Sequence, residues 1–167
     1  MESGVFMKNR KGQVSIEFLL LLIIMLLYIQ LIIMPTIDFS ANYAEDAIRL
    51  GEARFSAEKL ANTIDYIALS SGESKQTIKL FVPKDANISC NANAAGNSIE
   101  FKVKISEPTA DCPAPAGETY GECEMEIPLM DGINLICVLD LKAAEKNILA
   151  VIEIWREGDT VNVQQIS

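Results

Sequence analysis

The stretch KNRKGQVSIEFLLLLIIMLLYIQLIIMP, Lys8 to Pro35, decides how the rest of the chain is read. Three basic residues, Lys8, Arg10 and Lys11, lead through Gly12-Gln13 into a long apolar run. Between Phe18 and Met34 the only polar side chain beyond Tyr28 is Gln30, while Glu17 stands just inside the near edge. At about 1.5 Å per residue the run reaches roughly 25 Å, slightly short for a bilayer core but workable. A carboxylate near the middle of a membrane helix costs roughly 2.5–3.5 kcal/mol, and less near its end. Glu17 therefore calls for a compensating partner.

Three ordinary explanations leave Glu17 unaccounted for. A buried core helix is seldom this long and uniform, and its flanks are not usually basic. A cleaved secretory signal has a shorter apolar stretch, about 7–15 residues, and a small-x-small site after it. Here Asp38-Phe39-Ser40-Ala41-Asn42 is a poor site. A plain transmembrane anchor fits the run, with Lys8, Arg10 and Lys11 kept cytoplasmic by the positive-inside rule. It gives Glu17 no role.

Composition divides the chain in the same place. Its 167 residues allow one modest domain plus an accessory element, and half of them are hydrophobic. The apolar residues crowd the N-terminal run, and from about Asp38 onward the mixture is that of a soluble domain. Lys8, Arg10 and Lys11 against Glu2 leave the first twelve residues at +2; the whole chain is −9, so the remainder stands at −11. That acidic exterior argues against general nucleic-acid binding, which needs basic patches. Histidine is absent, removing the commonest acid–base catalyst and metal ligand. No nucleophile elbow, P-loop, dinucleotide fingerprint or metal-spaced set occurs. The expectation is a protein that is not an enzyme, with no cofactor and no metal.

The segment Lys11-Gly12-Gln13-Val14-Ser15-Ile16-Glu17-Phe18-Leu19 resembles the class III signal peptide of archaeal type IV pilins. In that family a short basic leader ends in Gly, and a prepilin peptidase cuts before the apolar helix. Residues after the cut often read Gln-x-Ser-x-Glu, which Gln13 to Glu17 match in register. The resemblance covers about 25 residues, and Met7 begins the compact leader MKNRKG, so translation from Met1 and from Met7 both remain open.

It implies cutting between Gly12 and Gln13, leader recognition through Lys8, Arg10 and Lys11, and a freed, mostly cationic amine on Gln13. In such filaments the helices pack in a core, and Glu17 would meet an N-terminal amine there. A paired charge is tolerated where an unpaired one is not. The implied partners are the prepilin peptidase, identical or related pilin subunits, a membrane platform, a cytoplasmic ATPase and the membrane itself. The implied product is an extracellular surface filament, serving adhesion. The precursor would be single-pass with a cytoplasmic N-terminus. Archaellins, the related motility subunits, usually lack the glutamate and begin Gly-rich after the cut. A membrane-anchored extracellular binding domain that never polymerises is the alternative from another class.

The expected fold is α+β and pilin-like. A long N-terminal helix would pack its C-terminal half on an antiparallel β head. The divisions are a leader at 1–12, a hydrophobic helix at 13–35, its amphipathic continuation at 36–72 and a head at 73–167. The helix should begin near Val14, kink or break at Pro35, and end near Ser70-Ser71-Gly72. Ile37, Ala41, Ala44, Ile48, Gly51, Phe55, Leu60, Ile64 and Ile67 recur every three to five residues and are the predicted buried stripe.

From Gln76 the period becomes two, and about six strands are predicted. Thr77–Val82 and Ser98–Ile105 alternate. Glu122–Met130 and Ile133–Leu141 flank Asp131-Gly132 as a predicted hairpin, and Ile148–Trp155 and Thr160–Ile166 flank Glu157-Gly158-Asp159 as another. Lys142–Asn147 reads as a helical turn or a loop.

Cys90, Cys112, Cys123 and Cys137 all lie in the head, an even number that fits two disulfides and an oxidising location. Three pairings are possible; Cys90–Cys112 with Cys123–Cys137 is favoured, the second bridging the Asp131-Gly132 hairpin. Asn87-Ile88-Ser89 is the one N-x-S/T sequon, placed in a loop after Pro83, and makes Asn87 the N-glycosylation candidate.

Overall fold

The computed structural model describes the backbone of residues 10–93 and 96–166, and the side chains from Ile16 onward except Asn93. The chain divides into two units at Tyr43/Ala44, and each is taken by itself.

In the first unit, α1 (Arg10–Tyr28) starts earlier than the expected Val14. It runs into a π-helical turn over Ile29–Ile33, after which α2 (Met34–Leu69) begins. The cause is Pro35, which lacks an N–H and whose ring would press on the carbonyl of Leu31 in a regular α-helix. The wider turn just before it accommodates the ring, with the Met34 N–H donating to the Ile29 carbonyl. The Thr36 hydroxyl donates to the carbonyls of Ile32 and, at 3.0 Å, of Ile33. The expected break thus takes the form of a π turn, and the helix resumes at Met34.

Among the described residues the second unit holds eight strands rather than six. They are β1 (Lys75–Val82), β2 (Ala86–Asn93), β3 (Gly96–Ile105), β4 (Gly121–Pro128), β5 (Asn134–Val138), β6 (Asp140–Ala143), β7 (Ile148–Glu157) and β8 (Thr160–Gln165). They form two four-stranded sheets, ordered β1-β7-β8-β5 and β4-β3-β2-β6. Every pairing is antiparallel except β5 with β8. The α+β class is as expected.

Several local expectations are corrected. Asp131-Gly132 does turn, with Gly132 at φ +84, but β4 and β5 leave it for different sheets. The predicted strand Ile133–Leu141 divides at Leu139 into β5 and β6, because each half pairs in its own sheet. Lys142 and Ala143 belong to β6, and a bend follows at Ala144–Lys146. Ala86–Asn93 is a strand, not a loop. Its Asn- and Ala-rich sequence has weak β propensity, but pairing with β3 on one side and β6 on the other overrides that. The β7–β8 hairpin forms as predicted, closed by Gly158-Asp159 with Gly158 at φ +61, the pattern of a II′ turn.

One core joins the inner faces of both sheets to α2 through Ala53, Ser56, Ala57, Leu60, Ala61, Ile64 and Ile67. The predicted stripe is right at Leu60, Ile64 and Ile67 but wrong at Ile37, Ala41, Ala44, Ile48, Gly51 and Phe55, all exposed, Ile48 at 62% and Phe55 at 69%. A step of five residues from Phe55 to Leu60 turns the helix by about 140°, off the buried face. Alanines take that place and let the helix approach the sheets closely. The Ser56 hydroxyl donates to the Phe81 carbonyl, and the Lys59 amine donates to the Lys79 carbonyl at 2.9 Å. Both acceptors lie on the unpaired side of β1, so α2 protects that sheet edge.

The cysteines pair as Cys90–Cys137 and Cys112–Cys123, not as favoured from sequence. With β4 and β5 in different sheets, Cys123 and Cys137 are not cross-strand neighbours. Cys90 on β2 instead reaches Cys137 on β5 and ties one sheet to the other, their Cα atoms 6.1 Å apart. Cys112 closes the Pro- and Ala-rich loop onto β4.

Candidate functional site

The N-terminal segment is one candidate site. Lys8 lies outside the described residues. Arg10, Lys11, Gly12 and Gln13 are helical, at the near end of the described part of α1. One further turn, about 6 Å along the axis, separates Gln13 from Glu17. Glu17 is exposed, and no ion pair to it forms among the described residues.

Among the described residues, nothing covers the run beyond Glu17. Phe18 is 68% exposed and Leu31 72%, and the large apolar side chains between them are exposed as well or, at Ile29, half-buried. By length and composition the helix from Ile16 is apolar enough to cross a membrane.

The second candidate surface is the outer face of the β4-β3-β2-β6 sheet. Strand register places Lys142, Asn87, Lys102 and Glu124 in one row across it. Lys102 Nζ bridges Glu124 at 2.9 Å and Glu100 at 3.0 Å, and Lys142 bridges Asp140 at 2.9 Å. The hydrogen bond to Glu124, joined by that to Glu100, pushes the Lys102 ammonium well above the usual lysine range. Lys104 lies 4.4 Å over the Tyr120 ring, and its pKa is raised chiefly by that hydroxyl.

Asn87, expected in a loop, is half-buried in this row. It lines an open cleft of about 280 Å³ with Asp85, Lys102, Lys104, Glu122 and Lys142. Its Oδ1 is buried without a hydrogen-bond partner among the described residues.

No protein-family model, curated protein or solved structure matches this chain.

Two polar anchors escaped sequence reasoning. Arg49, on α2, bonds Asp46 at 2.7 Å and Asp85 at 3.5 Å, while Asp46 accepts the Ser106 N–H at 2.8 Å. Arg156, on β7, donates to the carbonyls of Ala68 and Ser70 at 2.8 and 2.6 Å and so caps the end of α2. Arg49 three residues after Asp46 was a visible signal; the reach of Arg156 to a helix residue 88 positions away was not. Among the described residues, no group of three or more His, Cys, Asp or Glu is placed to hold a metal.

Proposed function

We propose that this chain is a prepilin, a structural subunit clipped between Gly12 and Gln13 and polymerised through its N-terminal helix into an archaeal type IV pilus-like filament. The observation that carries this is the run from Phe18 to Met34, exposed almost throughout and preceded directly by Glu17 and, one turn earlier, by the Gly12-Gln13 junction. A helix so apolar and so uncovered needs lipid first and other helices later. The precursor would hold its basic leader in the cytoplasm and its head outside, where the two cysteine pairs suit an oxidising compartment. A prepilin peptidase, a membrane platform and an ATPase would be its assembly partners. The protein would act by assembling and adhering, with no catalytic role.

Glu17 has a specific task under this proposal. In the filament core it would pair with the amine freed on Gln13 of a neighbouring subunit, which offsets the cost of burying either charge. The test is co-expression with an archaeal prepilin peptidase, followed by mass spectrometry and electron microscopy. Mature protein beginning at Gln13 is expected; retention of Lys11, or a cut beyond Met34, overturns the proposal. Glu17→Gln should still insert and be clipped but yield few filaments. Clipped protein found only in membranes, in the parent chain as well as the variant, would favour an anchored domain that does not polymerise.

A further inference from the structure

Gln30 carries the only carboxamide in the apolar run, and neither the cut nor the Glu17 pairing uses it. From Phe18 to Ile37 no side chain is charged. That span of about 20 residues reaches roughly 30 Å, the thickness of a bilayer's hydrocarbon core. Gln30 lies about 4 Å past its middle. Ile37, the nearer edge, is about 10 Å further along the axis, beyond the reach of a glutamine side chain. The Gln30 side chain is exposed. From Ile16 to Tyr43 the side-chain hydrogen bonds are those of Thr36 and Ser40, so the carboxamide has no partner among the described residues. The π turn adds a second unmet group at the same residue. In a regular α-helix the Met34 N–H would serve the Gln30 carbonyl, but here it donates to Ile29. Pro35, next in the π pattern, has no N–H, and the Thr36 hydroxyl serves Ile32 and Ile33. Among the described residues the Gln30 carbonyl is thus left without a donor. Unmatched amide groups are strongly disfavoured in hydrocarbon.

We propose that two copies of this chain pair in the membrane at Gln30 before assembly, the carboxamide N–H of each donating to the Gln30 carbonyl or carboxamide oxygen of the other. This rests on one part of the proposed function, the spanning of a bilayer by the run. Three features name a second copy as the partner. Lipid tails offer neither donor nor acceptor. Copies of a single-pass precursor share one orientation, so each neighbour brings its own Gln30 to the same depth. The carboxamide donates and the unmet oxygens accept, so the contact is self-complementary. Apolar packing flanks it. Ile16, Leu20, Ile23 and Leu27 precede Gln30 at steps of four and three, isoleucine alternating with leucine and all of them exposed. One polar residue in such a seam sets the register of the helices. That register is unstaggered, whereas pairing of Glu17 with a neighbour's Gln13 amine needs a stagger of one turn, about 6 Å. Two copies cannot hold both contacts with each other. The Gln30 pair is therefore a resting state in the membrane that parts when a subunit enters the filament.

The test uses the unclipped full chain in membranes, expressed without a prepilin peptidase, so its result does not depend on whether filaments form. Leu27→Cys places a thiol about 60° from Gln30 on the seam, and Tyr28→Cys places one on the far side of the helix. The native cysteines are all held in disulfides, so the introduced thiol is the one that reacts. Oxidation with copper phenanthroline and non-reducing electrophoresis read the dimer fraction. Leu27→Cys should give at least about threefold more dimer than Tyr28→Cys. Adding Gln30→Leu, which makes the run more apolar and leaves insertion intact, should lower the Leu27→Cys dimer roughly threefold, the worth of one hydrogen bond between membrane helices. Gln30→Asn keeps the carboxamide and should retain most of the dimer. Equal dimer from the two thiol positions, dimer undiminished by Gln30→Leu, a fall with Gln30→Asn as large as with Gln30→Leu, or no dimer from Leu27→Cys overturns the contact.

Discussion

The run from Ile16 to Met34 and the head half of α2 are both helical and both rich in large apolar residues, but they spend those residues differently. Leu60 and Ile64 are fully buried in their own chain, whereas Leu21 and Leu26 are 65% and 54% exposed. The head half is stabilised by a narrow stripe, spaced with alanines so that two sheets can close on it. The N-terminal run is apolar on every side, and among the described residues nothing covers it. Composition alone distinguishes these poorly. What separates them is whether polar residues interrupt the period of the helix, because only an interrupted helix has an inside and an outside.

The largest effect that would sharpen this contrast concerns what holds the head without any help from α1. Cys90–Cys137 closes a separation of 47 residues and Cys112–Cys123 one of 11. In the chain-entropy model these contribute about 4 and about 3 kcal/mol. Replacing Cys90 and Cys137 together by Ser should lower the urea midpoint of the full chain in detergent more than replacing the other pair. Equal losses would mean that the bond between sheets constrains the unfolded chain less than its span implies. Peptide mapping without reductant should recover these two linkages, and recovery of Cys123 joined to Cys137 would return the head to the hairpin topology.

Next comes the helix itself. Leu60→Ala should cost about 3 kcal/mol, as a fully buried leucine truncated to alanine usually does. Phe55→Ala and Leu26→Ala should leave head unfolding unchanged within about 0.5 kcal/mol, since both side chains are exposed. Denaturation of the three variants in detergent reads this directly. A large loss from Phe55→Ala would break the division of α2 into an inner and an outer face.

Where sequence reading succeeded, local chemistry and tertiary context agreed. Ser98–Ile105 alternates cleanly and is a central strand, and Gly158-Asp159 between alternating runs is a hairpin. The apolar run is plain because nothing interrupts it. Failures came where partners distant in sequence decide. Asp131-Gly132 has the right turn residues, yet Leu139 lets the following strand cross between sheets, and this moved the cysteine pairing too. Ile48 and Phe55 joined the predicted stripe because spacings of three, four and five were accepted together, although a step of five leaves the face. At the candidate site, the junction Gly12-Gln13 and Glu17 were visible as a pattern. The Lys102 ladder was visible only as alternation, since its pairing with Glu124 depends on register.

A smaller effect lies at Gly121, where β4 begins against the loop closed by Cys112. A Cβ there would stand 2.7 Å from the Cys112 carbonyl oxygen and 2.7 Å from the Pro108 Cα. Both are backbone atoms that cannot step aside as a flexible side chain would. Gly121→Ala should cost about 2 kcal/mol through overpacking. Faster proteolysis confined to Ser106–Tyr120 should accompany it. A neutral result would show that the loop shifts freely even with its disulfide intact.

The smallest expected effect tests the charged sheet face, the counterpart of the apolar run, by pH. The carboxylates of Glu124 and Glu100 raise the Lys102 pKa in the folded chain, whereas the unfolded chain keeps the ordinary value near 10.4. A group whose folded pKa is raised contributes stability that is fully present below the unfolded value. That contribution declines as pH rises above about 10.4 towards the higher folded value, because over that interval only the folded chain still binds the proton. The Lys102 side chain is 36% exposed, so solvent screening keeps the effect small. The quantity to measure is the difference in urea midpoint between the parent chain and Lys102→Met, followed from pH 8 to 11.5, since tyrosines and other lysines titrate alike in both. The difference should stay level up to about pH 10 and shrink beyond it. Repeating the series in 1 M salt should reduce the difference below pH 10, because exposed charge pairs are screened and buried packing is not. A difference that is unchanged by salt and level across the whole range would mean that Lys102 stabilises the sheet through its aliphatic stem alone, and the contrast with the apolar run would then lie in polarity rather than in charge.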